Sequence, residues 1–358
     1  MKKLQKIFLI TITALVLAVI LFIYNQYVYM ELDSSDFPLV QRWSSNLGEK
    51  ILELSASDEG DLIFVRTVKA LYAANSESGQ ILWRFPLGYQ AKTHPAIAKN
   101  GIVYIADAKH IWALDQKNGN TIWTQALADP RGKVEDVSDH LIFVNNKNSD
   151  IEAYDTKTGS LLWAFPLYWY HPAFYVSENK IYIPETGLVV IDIASGGNTV
   201  INRSDSIFDS DIHGDSIYYV TLDNIVAFST RTETEIWRQR RPFSDNDFPR
   251  LDVYDQFIMV EGARSLAIHN SETGVLIWKA SISYPISPSF IGDMLFVMGG
   301  FDRTIRVFQA TTGKDLGQLR TSSYQLLRAP RQQEMIATNN LLVFSRGNEL
   351  LCFITADK

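Results

Sequence analysis

The chain repeats itself. Three segments align without gaps at a spacing of 40 residues: Leu71 to Trp83 (LYAANSESGQILW), Ile111 to Trp123 (IWALDQKNGNTIW) and Ile151 to Trp163 (IEAYDTKTGSLLW). Two more copies follow, Ile225 to Trp237 and Leu266 to Trp278. Leu188 to Ile201 is a degenerate copy, one residue longer. Ile305 to Gly317 keeps the turn but has lost the tryptophan, and Leu350 to Lys358 supplies the first part of an eighth copy. A fixed period of this length means modules that cannot bury their own apolar face and must stack on their neighbours.

Each copy reads as two strands joined by a tight turn. Five residues alternate as one strand does, and the third of them is small or branched: Ala73, Ala113, Ala153, Val190, Ala227, Ile268, Val307 and Cys352. Such a residue suits close sheet-to-sheet packing. Asp115, Asp155 and Asp192, or Asn75 and Asn270, open the turn, where their side chains can bond the backbone ahead. Gly79, Gly119, Gly159, Gly274 and Gly313 stand where positive φ is expected. The tryptophan on the second strand is expected to seal one module against the next. Before each copy lie two more short strands, clearest in IVYIA, KIYIP and LFVMG. Four short strands per period of about 40 residues predict an all-β fold, an eight-bladed β-propeller of four-stranded blades.

The two ends of the chain fit together in this scheme. The eighth copy stops before its fourth strand, while an unmatched tryptophan, Trp43, stands one period before Trp83. Pairing the strand around Trp43 with the strand around Leu350 closes the ring and removes an open edge.

Ahead of the repeats, Ile7 to Tyr24 runs 18 residues without a charge. At about 1.5 Å per residue this nearly spans a hydrocarbon core of about 30 Å. Lys2, Lys3 and Lys6 precede it, whereas Glu31, Asp33 and Asp36 follow. The positive-inside rule places residues 1–6 in the cytoplasm and all that follows residue 30 outside it. A cleaved signal peptide is the rival reading; Val16 and Ala18 offer a marginal cleavage site, but the apolar run continues past it. The expected organisation is a basic N-terminus (1–6), a transmembrane signal-anchor helix (7–30), a tether (31–41) and the propeller (42–358).

Composition excludes several function classes. A net charge of -7 argues against a nucleic-acid partner, which needs a basic face. The single cysteine, Cys352, excludes an intramolecular disulfide, a cysteine zinc cage and lipid attachment near the N-terminus. It falls at the small core position, so a buried inert thiol is expected. None of His94, His110, His140, His171, His213 and His269 has a partner at metal-ligand spacing. THPAI and YHPAF read as a repeated approach to a first strand. No nucleophile elbow, Walker loop, EF-hand loop or Rossmann fingerprint is present. No catalytic, cofactor or metal residue is therefore assigned, and no cofactor is expected.

The remaining signal lies in the connectors between modules. They carry Tyr89, then Tyr168, Trp169, Tyr170 and His171, then Arg240, Arg241 and Phe243, with Tyr284 and Tyr324 further on. Arg238 and Arg250 flank the third group. All such connectors emerge on one face of a propeller. Clustered aromatics and arginines there suit a protein partner or an extended peptide, because these residues dominate binding energy. Packing of the connectors over the channel is the bland alternative.

The pattern of an aliphatic-x-Ala-x-Asp strand, Thr-Gly, and tryptophan four residues after the glycine resembles the PQQ-like propeller repeat of quinoprotein alcohol dehydrogenase-like proteins. IWALDQKNGNTIW and IEAYDTKTGSLLW carry it best, and the resemblance spans about residues 43–358. It implies the fold more than the activity. One branch of that family binds pyrroloquinoline quinone and calcium as a dehydrogenase. The other consists of non-catalytic, BamB-like propellers, to which this chain's size and anchoring are closer, although it has no lipid-attachment cysteine. The resemblance thus implies a non-enzymatic binding scaffold outside the cytoplasm, membrane-anchored through its N-terminal helix. The alternatives are a quinoprotein-like oxidoreductase and a sensor for a small molecule or glycan.

Overall fold

The computed structural model describes residues 38–355, apart from 89–94, 108, 128–132, 138–140, 146–150, 166–173, 178, 194–196, 244–248, 283–284, 300–303 and 321–334. The expected anchor and most of the tether lie outside the described residues. Among the described residues, no helix is long and apolar enough to cross a membrane.

Every described element is a strand, and the strands form eight antiparallel sheets. In chain order the first seven occupy residues 51–86, 97–126, 133–165, 175–206, 209–240, 250–280 and 285–320. The eighth is composite. Met335–Thr338, Leu341–Arg346 and Glu349–Thr355 are completed by Leu39–Asn46, with Trp43 opposite Cys352. The spare N-terminal strand thus fills the vacancy at the C-terminal end.

The fourth sheet has three elements because its second and third strands run together as Lys180–Asp192. The fold-back is still there. Ile193 N–H donates to Asn179 O at 2.8 Å, as Ser76 does to Asp61 and Gln116 to Gly101 in the first and second sheets.

Packing runs between sheets. Each of eight apolar clusters is shared by two successive sheets. Phe64, Leu71 and Trp83 of the first sheet, for example, meet Val103, Ile105 and Leu114 of the second. Another cluster joins the eighth sheet to the first through Cys352, Val343, Val65 and Ala70. Sheets stacked in a closed cycle form a β-propeller, whose only free edges are short and lie at its rim and centre.

The tryptophans make the seams. Trp83 of the first sheet lies on Gly119, in the turn of the second, and its Nε1–H donates to Gln116 O at 2.9 Å. Trp123 lies on Gly159 and donates to Thr156 O at 2.8 Å. Trp43 docks in the same way on Gly79, Trp237 on Gly274 and Trp278 on Gly313. The indole buries apolar area while satisfying its one donor, which a buried tryptophan requires. Trp163 packs against the third–fourth cluster, and the turn ahead of it, 194–196, lies outside the described residues.

A β-bulge aims each docked ring. The ladder slips between Ala73 and Ala74, between Ala113 and Leu114, and at the same place in the third, fifth, sixth and seventh sheets. In the composite sheet it slips between Gln41 and Trp43. The extra residue re-orients the side chain beside it. It also leaves an aliphatic outside: Leu82, Ile122, Leu162 and Ile236 are about half exposed.

The turn glycine meets two demands. Gly119 has φ +71°, and a Cβ there would lie 2.7 Å from Trp83 Cδ2. Gly101 also has positive φ, +77°, but faces open space. Gly101→Ala is therefore expected to cost only the left-handed strain, about 1–2 kcal/mol. Gly119→Ala should add an overpacking cost of about 1–3 kcal/mol. Trp123→Ala should cost about 3–5 kcal/mol. Urea unfolding of the three variants gives the ranking; equal losses at Gly101 and Gly119 would show that the indole makes no demand on the turn.

One core position is polar. His269 stands where other sheets have Leu114, Tyr154 or Phe228, and it is 2% exposed. Its Nδ1 lies 2.9 Å from Gly274 O, so Nδ1 carries the hydrogen and donates. Nε2 has no partner. Burial holds its pKa below the ordinary 6.5, against the opposing pull of the Gly274 carbonyl. The unfolded chain takes up a proton near pH 6.5, whereas the folded ring resists it until lower pH. Stability should therefore fall as pH drops below about 6.5. His269→Leu should lose this component. Urea midpoints at pH 7.5 and 5.5 check it, and an equal pH dependence in both proteins would contradict it.

Candidate interaction face

Antiparallel sheets of this order put two kinds of loop on one side of the ring: the hairpin between second and third strands, and the connector to the next sheet. The connectors start from a fixed base. Leu87 N–H donates to Lys69 O, Leu127 N–H to Lys109 O, Ile207 N–H to Glu185 O, and Arg241 N–H to Asp223 O, at 2.7–2.8 Å. Each connector's first residue is thereby tied to the hairpin of its own sheet.

The first connector is held a second time, from the next sheet. Asp107 Oδ1 accepts from Lys109 N–H at 2.7 Å and His110 N–H at 2.9 Å, which shapes the second hairpin. Its Oδ2 accepts from Gly88 N–H at 3.1 Å, one residue before Tyr89. Beneath it Arg66 is 3% exposed and donates to Ala106 O at 3.0 Å. Burial pushes the Arg66 guanidinium down to about 10, while Glu53 and Asp107 oppose that shift. Glu53 is the register partner of Arg66 and is itself buried. Charge buried with its partners fixes geometry more than it adds stability.

The arginine-rich connector divides. Arg240 is exposed at the end of its strand. Arg241 is 7% exposed, with its guanidinium 5.5 Å over the Phe243 ring. Phe243 packs against the fifth–sixth cluster. Arg241 and Phe243 thus belong largely to the seam, and Arg240 to the surface. Arg238 is drawn into ion pairs with Asp205 and Glu235 at 2.8 and 2.7 Å, which raise its pKa. Arg250 lies on the inner strand of the sixth sheet, opposite Glu261. Tyr89, Tyr168, Trp169, Tyr170 and His171 lie outside the described residues, as do Tyr284 and Tyr324.

At the centre of the ring, side chains stand in for a neighbouring strand. Asp209 Oδ2 accepts from Leu251 N–H at 3.1 Å, and Asp211 Oδ2 from Val253 N–H at 2.8 Å. Two carboxylates of the fifth inner strand thereby satisfy the open edge of the sixth. Burial is the main cause that raises the Asp211 pKa; the bonds from Val253 and Ile212 oppose it. Neither Asp107 nor the Asp209–Asp211 pair stood out in the sequence. The only signal was a carboxylate on every second residue of an inner strand.

The buried thiol of Cys352 is pushed up to about 12 by burial, against a small opposing pull from Arg42. One branch of the resemblance implies a quinone and calcium site. No group of three or more His, Cys, Asp or Glu converges as a metal cage among the described residues. Five tryptophans are consumed by seams rather than free to floor a cofactor.

Comparison with known proteins agrees on the fold. The BamB crystal structure from Moraxella catarrhalis superposes with a TM-score of 0.63 at 13% identity, over 88% of this chain and 99% of that one. The quinohemoprotein alcohol dehydrogenase of Comamonas testosteroni gives 0.62 at 12% identity, over 90% and 77%. At such identities the likeness is one of fold. In sequence, the outer membrane protein assembly factor BamB of Shewanella oneidensis is 21% identical over 306 residues, 78% of this chain. The match spans 65% of that relative's length. The model of the family described as "Outer membrane protein assembly factor BamB" matches residues 40–239 and 147–289. With most of its length so matched, and with the closed cycle of docked sheets that the repeats require, the chain belongs to this family of PQQ-like propellers.

Proposed function

We propose that the chain is a non-catalytic binding scaffold for proteins in envelope assembly. Its propeller has eight blades, begins at Leu39 rather than at residue 42, because Leu39–Gln41 already pair in the closing sheet, runs to 358 and works outside the cytoplasm. Residues 7–30 anchor it to the membrane as a single-pass helix, and 31–38 form the tether. Its partner is a protein or an extended peptide, taken by the face that carries the connectors. The observation that carries this reading is the family match, because the matching relative is by name an assembly factor.

The build of the ring supports it. Four connectors are tied at their first residue by backbone bonds, and the first also at Gly88 by Asp107. Fixing a connector at its root lowers the entropic cost of ordering it on binding. Exposed Arg240 and the aromatic run 168–170 are of the residue types that anchor interfaces. A quinoprotein reading predicts something different, dye reduction that depends on added pyrroloquinoline quinone and calcium.

The test uses the full chain in membranes. A photo-crosslinking residue at position 170 or 240 should trap an envelope assembly protein in intact cells. Replacing Trp169 and Tyr170 with alanine should cut that capture by tenfold or more, about 1.4 kcal/mol or above for an anchor residue. Stability should change by no more than about 0.5 kcal/mol, as for other surface positions. Undiminished capture, or unfolding of the double variant, removes these residues from the interface.

A further inference from the structure

One seam is built differently. The fourth sheet has no docking tryptophan: where Ala153 faces Trp163 in the third, Val190 faces Thr199, and the ladder has no bulge at that place. The next turn has no glycine either. Glu233 occupies the position of Gly119 and Gly159 and takes the same left-handed backbone, φ +55°. Without an indole overhead, the turn has room for a side chain. Tryptophan and glycine have been lost as a pair across one seam.

Other groups stand in their place. Tyr182 O–H donates to Thr230 O at 3.0 Å, and Thr230 occupies the turn position whose carbonyl accepts from tryptophan elsewhere, as in Gln116 and Thr156. Glu233 reaches back to pair with Lys180 of the fourth sheet. Arg238 of the fifth sheet grips Asp205 of the fourth through both carboxylate oxygens, and Tyr219 O–H donates to the same group. The ion pairs are a tenth to two-fifths exposed.

The seventh–eighth seam also has no tryptophan, because Gly317 stands opposite Val307. It compensates with apolar bulk: Phe296, Met298, Met335, Phe344 and Phe353 are all buried there, the last two stacked with ring centroids 5.4 Å apart. Among the described residues, the fourth–fifth seam is the one that exchanges an indole for partly exposed ion pairs. Partly exposed charges weaken as salt rises, whereas buried rings do not.

We propose that the seam between the fourth and fifth sheets is a salt-sensitive latch, the place where the ring opens first. Its tightness is set by ionic strength, through the pairs Lys180–Glu233 and Arg238–Asp205. The docked seams stay shut under the same change.

Thiol labelling tests this on the full chain in a Cys352→Ala background. Val226 in the fourth–fifth cluster, Val103 in the first–second and Val307 in the seventh–eighth are all fully buried. Each is replaced singly by cysteine, and its labelling rate is followed at low salt and at about 1 M, where the screening length falls to about 3 Å. Val226→Cys should label about tenfold faster than the other two at high salt, the gap narrowing at low salt, as for the least stable local opening. Adding Lys180→Gln and Glu233→Gln should raise the low-salt rate and weaken its dependence on salt, and adding Arg238→Gln and Asp205→Asn as well should abolish that dependence. Equal rates at all three positions, or a gap that salt does not move, overturns the proposal. Should Val226→Cys destabilise the whole ring, amide exchange of the unsubstituted chain makes the same comparison. Salt should then speed exchange in Thr234–Arg240 but not in Thr121–Ala126; equal responses overturn the proposal.

Discussion

The ring depends on a tryptophan laid on the next sheet's turn glycine. A four-stranded sheet of short strands buries too little to stand alone, so its stability comes from its neighbours. The indole supplies area, and its single N–H finds one carbonyl, repeated at Ser76, Gln116, Thr156, Ser271 and Ala310. The glycine supplies both the left-handed backbone and the space. The bulge before the ring supplies its direction. All three are fixed by residues a few positions apart, and this is why the motif can be copied along a chain and still close.

This coupling explains the exceptions. Among the described turns, Glu233 replaces glycine where no tryptophan arrives, and Gly317 stands in the tryptophan's place in the seventh sheet. Where the dock is absent the molecule substitutes polar pairs in one seam and packed phenylalanines in the other. His269 is a different departure. It leaves its dock intact and holds the receiving turn by a bond to Gly274 O, at the expense of a buried titratable ring.

Much of the fold was legible because the repeat encodes it locally. The alternation of each third strand, the Asp or Asn that opens each turn, and the glycine four residues later all specify hydrogen bonds within a dozen residues. Asp115 Oδ1 accepting from Lys117 and Asn118 N–H is one such bond. Closure was legible too, since a lone Trp43 and an incomplete eighth copy complement each other. What stayed hidden depends on neighbours far apart in the chain. Asp107 clips Gly88 across a seam, Asp211 caps the edge at Val253, and Tyr182 replaces an indole from a different strand. No spacing rule links those pairs. Arg241 looked like a surface cation in an arginine run, yet Phe243 draws it inward, whereas Arg240 remains outside.

The composite eighth sheet has a consequence for biosynthesis. Leu39–Asn46 is made about 300 residues before its partner Glu349–Thr355. The nascent chain must therefore carry an unpaired strand while the seven sheets between are made. Those modules can stack as they emerge, but the clasp forms only when the two distant strands meet. Long-range pairing of this kind is slow and leaves strand edges open to mispairing.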